Sequence, residues 1–387
     1  MTTCPSEQRF ITALRLGTPD KVTNFVQSIM PGLQKEWKKQ NPKIPKKKQV
    51  KTPIGDFTVY KNFGYDTHWH GAPHTWFIPD GKLRRHILKR TFQINKEKHP
   101  LYVISSLGAI YTRNRTSKIN FFVRPGIETV EELKFFLNHL SLRTPTERQI
   151  NRYRKAREIC MEKDFLPVML GHIVVEPGNQ SLSFSLTARL MRKNPELLHQ
   201  FYDLLSQQTE LSFKAAIKAG WKCFATADDC AYKTGPMFSP EQYREFVTPY
   251  ATRICNIVRE ANGVIFMHTD GLIDKLMDCF IDAGFHAIQP LEPSSGMTIE
   301  RVKKKWGNKL AVIGNVDTTD TLSFQTPQDA RDYVHKCFRE AKGNSDSISG
   351  YVFAASGTLH DKVKLENAMA MLDEYRKIRD GVIPIQH

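Results

Sequence analysis

Residues 222–271 read KCFATADDCAYKTGPMFSPEQYREFVTPYATRICNIVREANGVIFMHTDG, and this stretch decides the fold class. It begins and ends with short apolar runs, KCFATA at 222–227 and GVIFMH at 263–268. Between the two runs, Ser239-Pro240 followed by Gln242 is typical of a helix start, with a capping residue and a proline in the first turn. The stretch therefore predicts a strand, a helix and a second strand, and the apolar character of both strands predicts that they are buried on both faces.

The helix inside this stretch has one apolar stripe at helical spacing. We expect Pro249 to bend it, because proline lacks the backbone N–H and clashes with the preceding turn. Asn262-Gly263 is a typical helix end. The stripe consists of Tyr243, Phe246, Val247, Tyr250, Ile254, Ile257 and Val258.

The same alternation continues on both sides of this unit. Thr326-Pro327 and Asn194-Pro195 predict further helix starts, and Leu365 to Arg379 predicts a last helix that stops near Gly381. No glycine-rich phosphate loop follows any of the strands, which disfavours a nucleotide-binding open sheet. We therefore predict an α/β fold, a TIM (β/α)8 barrel formed by one domain over residues 1–387, with an irregular basic insertion or accessory lobe at about 35–120. The remaining predicted strands are PVMLGHIV at 167–174, HAIQP at 286–290, LAVIGN at 310–315 and YVFAAS at 351–356.

The composition of the chain indicates the cellular compartment that we expect for it. The chain of 387 residues has no apolar run long enough to span a membrane, and MTTCPSEQRF lacks the apolar region of a signal peptide. Its seven cysteines are scattered and form no CxxC pair. These features favour a reduced, cytoplasmic protein over a disulfide scaffold.

The formal net charge of +16 favours an acidic partner, and the basic residues are concentrated at 35–51. This segment, KEWKKQNPKIPKKKQVK, holds eight lysines and one acidic residue. It reads as a solvated loop or as a docking patch for an acidic protein. Nucleic acid is disfavoured, because the run contains no arginine and its aromatic content is limited to Trp37.

Polar side chains follow consecutive predicted strands, at the end of a barrel where catalytic residues lie. A single such residue is often only a helix cap, but a set on consecutive strands predicts a concave polar site. The residues are Asp228 and Asp229, then His268, Thr269 and Asp270, then Gln289 and Glu292, then Asn315 and Asp317, and finally Ser356-Gly357.

These residues lie in segments that resemble the uroporphyrinogen decarboxylase superfamily. The matching segments are DDCAYKTGPMFSPEQYREFVTPY, FMHTDG, GNVD and YVFAASGTLHDKVKLENAMAM, in the family's order and spacing, with weaker likeness in ALRLGTPDKV and in NFGYD at 62–66. The resemblance is strong over 160–380 and weak over 30–160. It implies a barrel enzyme.

Within the superfamily, the sequence is more similar to the corrinoid-dependent methyltransferases than to the decarboxylases. The decarboxylases' arginine-rich RQAGRY-type loop, which suits carboxylate recognition, is absent, and the position of their histidine after the last strand falls at about Gly357. The thiol methyltransferases' zinc-binding HxC pair reads His268-Thr269-Asp270 here, and their later cysteine also falls near Gly357. Transfer of a methyl group to a thiol is therefore disfavoured. The remaining resemblance is to the O-demethylase-like branch, whose members act in one-carbon metabolism.

The resemblance implies transfer of a methyl group from a methylated donor, such as a methoxylated aromatic compound, to the cobalt of cob(I)alamin on a corrinoid-binding partner protein. An aryl or alkyl oxide is a poor leaving group, so the protein must supply a proton or a Lewis acid to the oxygen. The predicted catalytic residues are His268, Asp270, Asp229 and Asp317. His268 and Asp270, two apart at a strand end, should point the same way, and zinc is the metal that they and Asp229 or Asp317 could hold. The predicted substrate-binding residues are Asp228, Tyr232, Gln289, Asn315 and Trp69.

Two other functions stay open: a uroporphyrinogen decarboxylase-like lyase acting on a small carboxylic acid, and a non-catalytic docking barrel. Asp270 could also be a helix cap beside a buried structural His268. HWHGAPH at 68–74 fits a surface loop or a lid over the substrate pocket, and its lack of cysteine and acidic residues disfavours a metal site there. The expected partners are the corrinoid protein and a small methyl donor, with no nucleic acid and no membrane; a homodimer stays open.

Overall fold

In the computed structural model, the described residues are 3–97, 102–113 and 120–386. The strands are β1 Asn24–Val26, β2 Thr67–Gly71, β3 Trp76–Pro79, β4 Tyr102–Ile104, β5 Ile110–Arg113, β6 Asn120–Arg124, β7 Leu140–Arg143, β8 Leu166–Gly171, β9 Cys223–Ala227, β10 Ala231–Tyr232, β11 Gly235–Pro236, β12 Val264–His268, β13 Ala287–Gln289, β14 Ala311–Val316 and β15 Tyr351–Ala355. The α-helices are α1 Pro5–Leu14, α2 Pro31–Gln40, α3 Thr58–Phe63, α4 Gly81–Glu97, α5 Val130–Asn138, α6 Glu147–Glu162, α7 Val175–Ser181, α8 Phe184–Lys193, α9 Pro195–Lys218, α10 Pro240–Phe246, α11 Thr248–Glu260, α12 Met277–Ala283, α13 Ile299–Trp306, α14 Thr321–Phe324, α15 Pro327–Lys342 and α16 Leu365–Arg379. Short 3-10 helices cover Lys46–Lys48, Asp274–Leu276 and Pro293–Ser295.

Parallel strands close into a barrel in the order β1-β15-β14-β13-β12-β9-β8-β2. The predicted TIM-barrel fold is confirmed. The strand ranges predicted between residues 222 and 356 match β9 and β12 to β15 within one residue at each end. The range predicted at 167–174 was too long, because β8 ends at Gly171.

Aromatic side chains fill the interior of the barrel. The rings of Phe25 on β1 and Phe266 on β12 lie 5.5 Å apart, although these strands are far apart in the barrel order. Phe10 of α1 contacts Phe266 from the amino end of the strands, with ring centres 6.2 Å apart. The barrel is thus a packed core that leaves its carboxyl end for a site.

Helix boundaries follow the capping residues of the sequence. Ser239 accepts from the N–H of Gln242 and forms the predicted capping box, and Thr326 forms a second one with Asp329. The expected bend at Pro249 is a full break: α10 stops at Phe246, and α11 restarts with Pro249 in its first turn. Proline fits a first turn, where its missing N–H leaves no bond unmade, better than a helix interior.

The region between β1 and β8 differs from the prediction. Residues 68–71 of the segment 68–74 are neither a surface loop nor a lid, because residues 67–71 form the barrel strand β2, and only residues 72–74 lie in the connection that follows. The predicted excursion at 35–120 is therefore divided by a barrel strand. The larger part, residues 72–146, leaves the barrel at the carboxyl end of β2 and returns through α6 to the start of β8; we call it the insertion.

The eight lysines of the run at 35–51 are exposed, as predicted, whereas Trp37 and Val50 within it are buried. The centre of the run lies near the amino end of the barrel strands. The backbone oxygen of Lys47 accepts from Lys163 Nζ at 3.1 Å, and that of Lys48 accepts from Asn62 Nδ2 at 2.8 Å. Lys163 and Asn62 lie shortly before β8 and β2, so Lys46–Lys48 is at the opposite end of the barrel from the carboxyl ends of the strands. Within the described ranges, no helix is both long and apolar enough to cross a membrane.

Candidate active site at the carboxyl end of the barrel

Three neighbouring strands end in one row of residues that carries the candidate site. In the parallel register, His268 at the end of β12 lies beside Ala227 of β9 and Gln289 of β13. The chain then continues from β9 into Asp229 and from β12 into Asp270. A ligand atom from each of Asp229, His268 and Asp270 lies within 4.8 Å of the others, so the three form one cluster.

The imidazole of His268 is held on two sides. Nδ1 donates a hydrogen bond to Oε1 of Gln289, and Trp69 packs edge-on against the ring at 5.1 Å between ring centres. Because an amide oxygen only accepts, Nδ1 carries the hydrogen in this arrangement, and Nε2 faces Asp229 Oδ1 at 3.9 Å. The fixed ring therefore presents Nε2 to the carboxylates, and the buried Nε2 of Gln289 has no hydrogen-bond partner beside it.

Asp270 is tied to Asp229 through the backbone. Its N–H donates to Asp229 Oδ1 at 3.1 Å, which orients the Asp229 carboxylate within the cluster. Burial raises the pKa of Asp270 to about 6; the charge of His268 opposes this shift, and the charges of Asp229, Glu292 and Glu176 add to it. A carboxyl group that titrates near neutral pH can donate or accept a proton under physiological conditions.

Gly271 lets the loop after Asp270 approach the hairpin that carries Tyr232. Its φ is +91°, and a Cβ at this position would lie 2.7 Å from the backbone oxygen of Tyr232. Tyr232 itself is 55 % exposed on the hairpin of β10 and β11. Its predicted contact with substrate stays a prediction, and the structure places it at the rim beside the cluster.

Asp228 does not have the geometry predicted for a substrate-binding residue. It is fully buried, and its two carboxylate oxygens accept from the backbone N–H groups of Val174, Val175 and Glu176 at 3.2, 3.0 and 2.7 Å. Burial raises its pKa to about 7, and these three bonds act in the opposite direction. Neighbouring residues of an extended chain point to opposite sides, so Asp229 faces the cluster while Asp228 holds the start of α7.

Asp317 and Asn315 also differ from their predicted roles. Asp317 lies outside the cluster, and its Oδ1 accepts from the N–H of Thr319 at 2.7 Å within the turn after β14. Asn315 Nδ2 donates to the backbone oxygens of Leu291 and Met297, so it holds the loop after β13. Of the two candidates for a third metal ligand, the structure brings Asp229 to His268 and Asp270.

Sequence analysis missed His172 and Glu176, which lie beside the cluster. His172 follows the last residue of β8, and its Nδ1 is 3.4 Å from Glu176 Oε2. The charge of Glu176 raises the pKa of Asp270, and the charge of His268 acts on Glu176 in turn. The signal was present in the sequence, but the predicted strand ran to residue 174 and hid His172 inside it.

The candidate site is acidic, although the chain as a whole is strongly basic. Its exposed and half-buried carboxylates are Glu176, Asp229, Asp270 and Glu292. Their nearest basic partners in the described structure are His172, His268 and Lys233, which lies 3.7 Å from Glu292. A site that grips several carboxylates would need arginine or lysine side chains in their place.

The donor set also fits a divalent metal ion. One imidazole nitrogen and two carboxylate oxygens within 4.8 Å are a common ligand combination for zinc and related ions. The hydrogen bond from His268 Nδ1 to Gln289 is the kind of outer contact that orients a metal-binding histidine. Asp229, His268 and Asp270 would hold the ion.

A closed β/α barrel with acid–base side chains at the carboxyl ends of its strands defines a class of enzyme architecture, and comparison with known proteins gives the family. The family described as "Uroporphyrinogen decarboxylase (URO-D)" matches residues 167–378, more than half of the chain. The chain belongs to this family, which confirms the superfamily indicated by the sequence.

Curated relatives are distant. The chain is 26 % identical over 221 residues to the uroporphyrinogen decarboxylase of Actinobacillus succinogenes, an alignment that covers 54 % of this chain and 57 % of that protein. It is 23 % identical over 286 residues to that of Shigella dysenteriae, covering 72 % and 74 %. The chain thus spans little more than half the length of the first of these relatives.

A solved structure titled "methyltransferase from Methanosarcina mazei" has a similar fold. The TM-score is 0.60 at 16 % identity, and the match covers 96 % of this chain and 98 % of the other. The likeness in fold therefore extends over more of the chain than the residues 167–378 that the family match covers.

Replacing Asp270 by asparagine should stabilise the metal-free protein at pH 8. The pKa of Asp270 is about 6 in the folded state against an ordinary value of 3.8, so the folded state favours the protonated form. The ionised carboxylate therefore lowers the free energy of unfolding. This loss grows as the pH rises from about 4 to 6 and is complete above about pH 6. We expect Asp270→Asn to raise the free energy of unfolding by roughly 1 to 2 kcal/mol at pH 8 and to leave it unchanged near pH 3.5, measured by urea denaturation with a chelator present. A loss of stability at pH 8 would contradict this account of the site.

Zinc or cobalt(II) should bind at the cluster. Titration calorimetry or cobalt(II) absorption should show one strong site in the wild type, no measurable binding in His268→Ala, and affinity weakened at least about tenfold in Asp229→Asn and Asp270→Asn. Asp317→Asn is the matched control, because it removes a neighbouring strand-end carboxylate outside the cluster and should leave affinity unchanged. Equal losses in Asp317→Asn and Asp270→Asn would show that the ion binds elsewhere.

Proposed function

We propose that this protein is a corrinoid-protein-dependent methyltransferase that takes a methyl group from a methylated oxygen donor, such as a methoxylated aromatic compound. The cluster of Asp229, His268 and Asp270 at the carboxyl end of the barrel is the observation that carries the proposal. The cluster offers acid–base groups and a metal-binding donor set, and the reaction requires a proton or a Lewis acid at the leaving oxygen. The likeness in fold to a methyltransferase supports the same branch.

The reaction breaks the bond between the methyl carbon and the donor oxygen, and the electron pair of that bond stays on the oxygen. The partner's corrinoid supplies the cobalt nucleophile that receives the methyl group. The chain must then neutralise the oxygen, because an unprotonated alkoxide or phenoxide is a poor leaving group. A zinc ion in the cluster would supply Lewis-acid stabilisation of that oxygen.

His268 and Asp270 are the residues that we assign to the leaving oxygen. Gln289 and Trp69 hold the imidazole, and its Nε2 faces Asp229 within the cluster. Asp270 has a pKa of about 6, which makes its carboxyl group a proton donor or acceptor near neutral pH. Asp229 Oδ1 accepts a hydrogen bond from the backbone N–H of Asp270, and this bond holds Asp229 beside His268 and Asp270.

A lyase acting on a small carboxylic acid is the second candidate, and the names of the curated relatives favour it. The cluster of Asp229, His268 and Asp270 favours the methyltransferase over the lyase, because it offers acid–base groups and a metal-binding donor set for a leaving oxygen. Release of carbon dioxide from candidate acids by the wild-type protein would support the lyase. A docking barrel without activity predicts neither reaction.

Replacing His268 should abolish methyl transfer. We expect His268→Ala to lower the rate of conversion of cob(I)alamin to methylcobalamin, followed by absorbance with a methoxylated donor, by about 10² to 10⁴. His199→Gln is the matched control, because His199 contacts Tyr250 on the outer helices. Transfer at the wild-type rate by a folded His268→Ala protein would remove this residue from the reaction.

The corrinoid protein has to reach the carboxyl end of the barrel, and the insertion lies on that side. Helix α4 of the insertion exposes Leu88 and Phe92, 64 % and 63 % accessible, among the exposed basic residues Arg84, Arg85 and Lys89. Apolar contact surrounded by positive charge fits an acidic protein surface. We propose that the partner docks here, and the lysine run at the amino end of the barrel then serves as a solvated segment.

Two matched charge reversals test this docking surface. Reversal on α4 should slow association with the corrinoid protein about tenfold or more at low salt, because charges at an interface act mainly on encounter, and reversal of the lysine run should have little effect. The two triple variants are Arg84→Glu, Arg85→Glu, Lys89→Glu and Lys46→Glu, Lys47→Glu, Lys48→Glu. Association measured by surface plasmon resonance that depends on the second variant alone would restore the lysine run as the docking patch.

A further inference from the structure

His172 lies at the mouth of the barrel with one ring nitrogen unused. Its Nδ1 is 2.8 Å from the backbone oxygen of Ala227 and 3.4 Å from Glu176 Oε2. Since a carbonyl oxygen only accepts, Nδ1 carries a hydrogen. Nε2 on the other side of the ring has no hydrogen-bond partner in the described structure, and the side chain is 49 % exposed. The ring is therefore fixed at one nitrogen and open to a ligand at the other.

A chain of hydrogen bonds holds Glu176 beside this imidazole. Glu176 Oε1 accepts from Gln180 Nε2 at 3.1 Å, and Gln180 Oε1 accepts from the hydroxyl of Tyr111 in the insertion at 2.9 Å. The backbone N–H of Glu176 donates to Asp228 at 2.7 Å. The Glu176 carboxylate is thus held through Gln180 while its backbone is held by Asp228, and it stays beside His172 as a counter-charge.

The protonation preferences of this pair agree with an ion pair. The pKa of His172 is raised above its ordinary value. Burial acts to lower it, but the hydrogen bond and charge of Glu176 raise it. Burial likewise opposes the lowered pKa of Glu176, which comes from the hydrogen bond and charge of His172. The neighbouring Glu176 carboxylate thus favours the protonated form of His172, in which Nε2 carries the N–H that has no partner in the described structure.

The pair lies next to the cluster assigned to the leaving oxygen. Ala227, which accepts from His172, is the register partner of His268, and neighbouring strands lie about 5 Å apart. A small molecule bound at His268 therefore lies close to His172. The two imidazoles face opposite surroundings, since His268 Nε2 faces Asp229 whereas His172 Nε2 is open.

We propose that His172 binds a carboxylate substituent of the methyl donor while His268 and Asp270 act on its methylated oxygen. This assignment of the substrate class rests on the proposed function. The other ionisable side chains described at the mouth are carboxylates, which repel an anion, together with His268, which faces Asp229, and Lys233, whose side chain is 63 % exposed. His172 is the imidazole whose Nε2 is open, and a charge-assisted bond from its protonated ring to a carboxylate is stronger than a neutral one.

Binding of benzoate and benzamide tests this subsite without any turnover. The two compounds have the same ring and differ in charge, so the wild type should bind benzoate more tightly by titration calorimetry. His172→Gln should lose about tenfold or more of the benzoate affinity, the loss expected of one hydrogen bond to a charged group, and leave benzamide affinity unchanged. Lys233→Gln, which removes the other cation at the mouth, should bind benzoate as the wild type does.

Unchanged benzoate affinity in His172→Gln would overturn the proposal, and so would equal losses in His172→Gln and Lys233→Gln, which would indicate general electrostatic attraction. If His172→Gln does not fold, nuclear Overhauser effects from benzoate to the His172 ring in the wild type decide the matter, and their absence overturns it. Benzoate binding without methyl transfer would refute the proposed function and leave this subsite standing. Methyl transfer without benzoate binding would refute the subsite alone.

Discussion

The parallel register of β9, β12 and β13 is the constraint on which the candidate site depends. It places Ala227, His268 and Gln289 in one row at the carboxyl ends of three barrel strands. Gln289 then fixes the His268 ring, and the backbone oxygen of Ala227 fixes the His172 ring. A shift of one residue in this register would turn each side chain to the opposite face and separate the two imidazoles. The pairing of the barrel strands thus places these side chains within hydrogen-bonding distance of their partners.

Around this row, the chain concentrates negative charge in a molecule with a net charge of +16. Glu176, Asp229, Asp270 and Glu292 surround two histidines, and burial raises the pKa of Asp270 into the neutral range. Such a site suits a cation, a metal ion or the transfer of a proton better than the binding of a substrate with many carboxylates. The basic residues lie elsewhere, on the lysine run and on the insertion, where they can act on a protein partner.

The sequence predicted the second half of the barrel well because its strands are short apolar runs between clearly capped helices. It also predicted that Asp229, His268 and Asp270 converge, since each follows a strand end. It failed at β2, because the polar aromatic sequence THWHG does not look like a buried strand, and only the pairing with β1 and β8 makes it one. It did not show that Asp228 and Asp317 accept hydrogen bonds from nearby N–H groups, because residue type alone does not distinguish such a carboxylate from one that faces a ligand.

The fate of a labelled donor tests the central claim most directly. A methoxybenzoate labelled with ¹³C in the methoxy group and, separately, in the carboxyl group would be incubated with the protein, cob(I)alamin and its corrinoid partner, and the products followed by ¹³C NMR. The account predicts that the methoxy carbon appears as methylcobalamin and that the carboxyl carbon stays on the ring. Appearance of the carboxyl carbon as carbon dioxide, with the methoxy group intact, would contradict it.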